Sequence, residues 1–176
     1  MMKITFVIGG ARSGKSSFAL REAEKISGPK AYIATAQALD DEMKERIRKH
    51  KDERGAGWDT LEEYLNVADL ISEVSSKYGV IVLDCLTLWL SNLLCNNPDV
   101  KKEIENLTEA LKSLSLGTCH LSQVFIVSNE VGMGIVPENK LARQFRDLAG
   151  MLNQKVAEVA DEVYLVTAGI PVKIKG

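Results

Sequence analysis

Gly9-Gly10-Ala11-Arg12-Ser13-Gly14-Lys15-Ser16 follows the apolar run Ile4 to Ile8 and precedes a segment of helical character, Ser17-Phe18-Ala19 through Ile26. No other feature constrains the fold as much. A glycine, four variable positions and then glycine, lysine and serine is the spacing of a phosphate-binding loop. Glycines let the backbone curl until several N–H groups point inward, and the following helix presents its positive end to the same point. In such a loop Lys15 reaches the β and γ phosphates of a nucleotide and the Ser16 hydroxyl ligates Mg2+. The competing reading is a merely flexible glycine turn, which the strand before and the helix after argue against.

A loop of this kind needs a sheet, and the rest of the chain supplies one. Ala31 to Ala34, Val80 to Leu83, Val124 to Val127 and Val163 to Val166 are short, unalternating and mostly β-branched, like Ile4 to Ile8, as strands buried on both faces should be. Helical segments separate them. Alternation of strands and helices predicts right-handed crossovers, a parallel sheet and helices on both faces, an α/β fold. The first helix ends near Ile26, before Gly28-Pro29, and Asp40-Asp41 can cap a second through about Asp52. Asn66 can cap a third through Tyr78; Leu86 to Leu94 leads directly from a strand until Asn96-Asn97-Pro98 breaks it. A further helix spans about Val100 to Leu114. The longest, about Asn139 to Val159, carries Leu141, Phe145, Leu148, Leu152, Val156 and Val159 as an apolar stripe expected to face the sheet. The tail, Gly169-Ile170-Pro171-Val172-Lys173-Ile174-Lys175, reads as a short C-terminal edge strand. With no internal repeat, low-complexity tract or linker, one domain over residues 1–176 is expected.

Composition narrows the function classes. At 176 residues a single domain buries roughly 70% of its unfolded surface, so neither disulfide nor structural metal is required. With 45% apolar and 26% charged residues, the chain is ordinary for a globular protein and has no membrane span. A net charge of -2 argues against a general nucleic-acid binder. Cys85, Cys95 and Cys119 lack the spacing of a zinc site and read as reduced thiols. Met1-Met2-Lys3 and the short run Ile4 to Ile8 do not make a signal-peptide core, so a cytoplasmic location is expected.

A nucleotide site also needs an acid at the end of a neighbouring strand. Asp84, behind Val80-Ile81-Val82-Leu83, suits a metal or nucleotide role, or else caps the next helix. Of two histidines, His50 falls on a helical segment with Met43 and Ile47 at positions i, i+4 and i+7, with Arg46 and Arg54 one turn away. It is either a packed residue satisfied by a carbonyl or a reactive group beside anion-binding arginines. With an ordinary pKa near 6.5, about three quarters of a histidine is neutral at pH 7, which suits nucleophilic attack on phosphorus. His120, between a helix and a strand, reads as a surface loop residue. Ser128 to Glu138 leaves the carboxyl end of a strand with two glycines and several polar groups; it is a substrate lid or simply a long connection.

Taken in order, several runs resemble one family: Gly9 to Ser16, Tyr32-Ile33-Ala34-Thr35-Ala36-Gln37, Asp40 to Met43, Arg46-Ile47 with His50, and Trp58 with Thr60 and Glu62. Asp84-Cys85-Leu86-Thr87-Leu88-Trp89, Ser128 to Glu138, and Arg143 with Phe145-Arg146-Asp147 extend the match. The chain resembles the bifunctional adenosylcobinamide kinase/adenosylcobinamide-phosphate guanylyltransferase family of cobalamin biosynthesis from Ile4 to Lys175. The resemblance implies a RecA-like P-loop NTPase fold and a two-step enzyme. ATP or GTP would phosphorylate the aminopropanol hydroxyl of adenosylcobinamide. GMP would then pass from GTP through a histidine, His50 by position, to adenosylcobinamide phosphate, giving adenosylcobinamide-GDP and pyrophosphate. It also implies a GTP site formed by Gly9, Gly10, Ala11, Arg12, Ser13, Gly14, Lys15, Ser16, Ala34, Thr35, Ala36, Lys51, Asp52, Glu53, Arg54, Glu62 and Asp84. Lys15 would act beside His50 in catalysis, with Mg2+ on Ser16 and Asp84, in a homo-oligomer, a trimer by the family's habit. Where many members carry a proline after the arginine, this chain has Gly55-Ala56-Gly57, which implies a freer loop before Trp58. The rival readings are a small-molecule kinase with an unreactive His50 and a nucleotide-dependent switch whose ligand orders a loop.

Overall fold

The computed structural model describes residues 2–38, 40–96, 99–116 and 123–176. The side chains of Arg46, Lys49, His50 and Glu53, and the whole of Asn97, Pro98, Cys119 and His120, lie outside the described residues. Strands β1 (Lys3–Gly9), β2 (Lys30–Ala34), β3 (Trp58–Glu62), β4 (Val80–Asp84), β5 (Gln123–Asn129), β6 (Glu162–Thr167) and β7 (Ile170–Lys175) form one sheet in the order β3-β2-β4-β5-β1-β6-β7. All neighbours are parallel except β6 and β7. The five apolar runs are the centres of β1, β2, β4, β5 and β6. β7 is the expected edge strand and is antiparallel.

The helices are α1 (Lys15–Glu24), α2 (Asp41–Arg54), α3 (Val67–Val74), α4 (Leu86–Asn96), α5 (Val100–Leu116) and α6 (Lys140–Val159). They make two cores. On one face α3, α4, α5 and α6 close over Ile4, Phe6, Ile33, Ile81, Leu83 and Ile126, with Trp89 fully buried and its indole N–H donating to Leu65 O at 2.9 Å. On the other, Phe18, Ala19 and Ala23 of α1 cover Val7, Val82, Phe125 and Val127. Each fully buried aliphatic side chain contributes about 1.5–3 kcal/mol. A sheet covered on both faces explains why its central strands lack alternation.

Two helix starts carry side-chain caps, whereas both ends of α3 depart from the expectation. Asp40 Oδ1 accepts from Met43 N at 2.7 Å and Asn139 Oδ1 from Ala142 N at 3.0 Å, so both cap as side chains. Asn66 occupies the cap position of α3 but makes no such bond. Glu63 Oε1 accepts from Leu65 N and Asn66 N instead, both at 2.8 Å. α3 stops at Val74, a turn short of Tyr78.

One strand is added to the expected set, and one expectation is corrected. β3 was not foreseen as a strand, because it is a half-exposed edge whose Trp58-Asp59-Thr60-Leu61-Glu62 mixes apolar and charged residues. The stripe on α6 does not face the sheet along its whole length: Leu152 and Val156 are buried, Phe145 and Leu148 half-buried, and Leu141 is 61% exposed. The first turn of α6 leaves its apolar side chain on the surface.

Candidate functional site

Register assembles the site. Glu62 of β3 pairs with Ala34 of β2, Ala34 with Asp84 of β4, and Asp84 with Val127 of β5. Two residues further along β5, Asn129 pairs with Gly9 of β1. A row from Glu62 to the glycine loop therefore crosses the carboxyl ends of five strands, where open α/β sheets take their ligands.

At one end of the row the loop turns on itself. Ser13 N donates to Gly10 O at 3.3 Å, and Gly14, at φ 93, enters the left-handed region before α1 begins. A side chain on Gly9 would collide with Val166 O and the Ser13 hydroxyl. As N-cap of α1, Gly14 has no side chain to engage the first-turn N–H groups, which suits an anionic ligand. Lys15 is buried, 8% exposed, and donates from Nζ to Gly10 O at 3.0 Å. The turn between β6 and β7 braces the loop from behind, with Gly169 N donating to Ser13 O at 2.8 Å.

Helix α2 forms the far wall. Met43, Ile47, Lys51 and Arg54 line the cleft with Ala11, Lys15, Ser16, Ala34, Ala36, Glu62 and Asp84. Position 50 is three residues from Ile47 and four from Arg54, so helical spacing puts it on the same face. Met43 and Ile47, spaced as a helical face in the sequence, thus face the cleft. Asp52 is exposed, half a turn round from that face, and is not brought to the cleft.

Arg54, in the last turn of α2, connects this wall to the acid on β4. Its guanidinium lies 3.7 Å from the Tyr32 ring centroid, and Nη2 donates to Thr60 Oγ1 at 3.2 Å. Among the described residues its buried Nε has no acceptor, so an acceptor on a bound anion would relieve its desolvation. The Tyr32 hydroxyl donates to Asp84 Oδ2 at 2.9 Å. Burial, then Asp84, pushes the Tyr32 phenol well above its ordinary range against the lowering effect of Arg54, so it stays a donor.

Thr35 sits beneath the row. Its buried hydroxyl donates to Cys85 O and accepts from Cys85 N, both at 2.8 Å, while Asn92 Nδ2 donates to Thr35 O at 2.8 Å. These bonds fix the 34–36 turn against Asp84, a supporting place rather than a lining one. Of the Ser128 to Glu138 segment, Asn129 lines the cleft, whereas Met133, Ile135 and Val136 are exposed.

Tyr32, Thr60, Leu88 and Asn129 carried the family resemblance without a site role, and they line the cleft together with Cys85. Strand alternation could have found two of them. Tyr32 shares a face with Ala34, and Thr60 with Glu62. Ser16 and Asp84 offer hard oxygen donors on one cleft, the sparse set that Mg2+ takes beside waters and substrate phosphates. Among the described residues no cluster of three or more His, Cys, Asp or Glu could hold an ion alone. The donors present fit Mg2+ and do not resemble a dedicated metal cage.

The family model described as cobinamide kinase / cobinamide phosphate guanyltransferase matches residues 5–174. Bifunctional adenosylcobalamin biosynthesis protein CobU of Salmonella typhimurium is 45% identical over 96% of this chain and 98% of its own. CobU of Escherichia coli is 42% identical over the same shares. Bifunctional adenosylcobalamin biosynthesis protein CobP of Pseudomonas aeruginosa is 43% identical over 97% of this chain and 96% of its own. Among solved structures, an ATPase from the type III secretion system of pathogenic bacteria superposes with a TM-score of 0.59 at 12% identity. That match covers 94% of this chain and 51% of the ATPase, and shows the fold alone.

Proposed function

We propose, since this chain belongs to the cobinamide kinase / cobinamide phosphate guanyltransferase family, that its one cleft serves two successive transfers from a nucleotide. The enzyme has kinase and nucleotidyltransferase activity in cobalamin biosynthesis. In the first transfer the aminopropanol hydroxyl of adenosylcobinamide attacks the γ-phosphorus of ATP or GTP. The new O–P bond replaces the bond to the nucleoside diphosphate, and the hydroxyl proton is lost. In the second, a ring nitrogen of His50 attacks the α-phosphorus of GTP, an N–P bond forms, and pyrophosphate leaves. An oxygen of adenosylcobinamide phosphate then displaces the histidine, giving adenosylcobinamide-GDP.

The observation that carries this reading is the convergence of three elements on one cleft: Lys15 and Ser16 after β1, Asp84 at the end of β4, and the 43–47–51–54 face of α2. Loop N–H groups and Lys15 stabilise charge on the transferring γ-phosphoryl group in the first reaction and on the departing pyrophosphate in the second. Ser16 and Asp84 would hold Mg2+, which when bound neutralises phosphate charge. Glu62 lies four strand spacings from the loop, about 19 Å, and so serves the nucleoside end rather than the phosphates. Arg54 supplies positive charge beside α2 for the α-phosphate. Association into a homo-oligomer belongs to the same reading, and the exposed Met133, Ile135, Leu141, Ile170, Val172 and Ile174 support it.

GTP labelled on the α-phosphate tests the covalent step. Wild-type protein should retain label after denaturation in alkali and lose it in acid, as a histidine phosphoramidate does, and His50→Ala should retain none. Equal label on His50→Ala, or none on wild type, would overturn the guanylyl-histidine. Phosphorylation of cobinamide without labelling would leave a kinase, and binding without turnover a switch.

A further inference from the structure

Tyr32 stands between the two halves of the site. Its ring is 5% exposed, in the core beneath α1, and carries the Arg54 guanidinium at 3.7 Å from its centroid. Its hydroxyl donates to Asp84 Oδ2 at 2.9 Å. We propose that Tyr32 is a positioning residue that joins two jobs: the ring seats the last turn of α2 through Arg54, and the hydroxyl holds the Asp84 carboxylate in one orientation.

Little else docks α2. Among its described residues none is buried; Met43, Ile47 and Arg54 are half-buried and the others exposed. Its acidic start and basic end match the helix dipole, and Lys44–Asp41 and Arg48–Glu45 pair within it, so local charge sustains the helix without anchoring it. Arg54 is therefore a main tether, and a guanidinium needs a flat face to lie on. A tyrosine provides that face and a donor at its tip. A carboxylate that holds a metal works from a fixed orientation, and removing the group bonded to it typically costs ~10–100-fold in metal affinity or activity. Phenylalanine would keep the face and lose the donor. Leucine would lose both, so the two jobs separate by substitution.

This inference rests on the reading of α2 and Asp84 given under Proposed function. Its test reads two signals. Mn2+ binding is titrated by electron paramagnetic resonance in the presence of a non-hydrolysable GTP analogue, and protein labelling from α-labelled GTP is timed at saturating Mn2+. Tyr32→Phe should bind Mn2+ about tenfold more weakly yet label at the wild-type rate once the metal is saturating. Tyr32→Leu should show the same weakening and label at least ~10-fold more slowly. Wild-type Mn2+ affinity in Tyr32→Phe, or equal saturated labelling by the two variants, overturns the proposal. Should Tyr32→Leu fail to fold, Tyr32→Phe decides alone: unchanged Mn2+ affinity overturns the proposal and a tenfold loss supports it. If wild type takes no label, the guanylyl-histidine falls, and the Mn2+ arm, which needs no turnover, still decides whether Tyr32 positions Asp84.

Discussion

Cys85 follows Asp84 directly and lines the same cleft, but it is the more deeply buried of the two. Asp84 is half-buried, while Cys85 is 6% exposed and belongs to the apolar cluster of Tyr32 and Val127 beneath α1. Burial first, and the Asp84 carboxylate second, push the Cys85 thiol up to about 11 from an ordinary 9.0. The folded protein thus holds that proton more tightly than the unfolded chain. The stabilising difference is fully present below pH 9 and is lost as pH rises through 11. Melting temperature should fall over that interval, and Cys85→Ala should flatten the fall. In a Cys119→Ser background, a thiol reagent at pH 8 should modify the exposed Cys95 and spare Cys85 until denaturant is added. Equal rates for both thiols in the native protein would contradict the buried, protonated state. The residue scale is also where sequence reading stopped short. Lys15, Ser16 and Asp84 were legible because each follows a motif or a strand end, whereas the bond from Tyr32 to Asp84 joins positions 52 apart and exists only once β2 and β4 pair.

Among the elements, legibility followed burial. β1, β2, β4, β5 and β6 are covered on both faces and so appear as unbroken apolar runs, which periodicity detects. β3 is an edge, and its charges hide it. α2 was legible as a helix from its Asp40 cap and its charge pattern, but its loose seat was not, since packing is a property of neighbours. An element held by so few buried contacts should open locally at low free-energy cost. Amide hydrogen exchange should therefore be faster in 41–54 than in α4 or α6, and a non-hydrolysable GTP analogue should slow it. Protection of α2 equal to that of α4 without ligand would show a tether not evident in its side chains. The first turn of α6 makes the same point from the other side: the Leu141 spacing was right for a stripe, but nothing in the fold covers that side chain, which stays 61% exposed.

Across the whole molecule, the C-terminal hairpin is tied into the site. Ile4 and Asp161 exchange two hydrogen bonds, at 2.7 and 2.9 Å, and Lys175 Nζ donates to Ala157 O and Glu158 O at the end of α6. The turn at Ala168 and Gly169 then presses on the glycine loop. Gly169 has φ 80, where a β-branched residue is strained by about 1–3 kcal/mol. Gly169→Val should raise the Kd for GTP several-fold without touching the ligand, as a fluorescent analogue would report, whereas Val172→Thr on the exposed part of the same hairpin should leave it unchanged. A wild-type Kd in Gly169→Val would mean the brace is dispensable. The position of β1 has a consequence of its own. It pairs with β5 on one side and β6 on the other, so the glycine loop is synthesised well before its flanking strands, which emerge from the ribosome more than a hundred residues later. Such long-range pairing is slow and exposes an unsatisfied strand in the meantime. The nascent chain therefore acquires its nucleotide grip late, when residues 162–167 have been made, and translation rather than ligand concentration sets when binding can first assist folding.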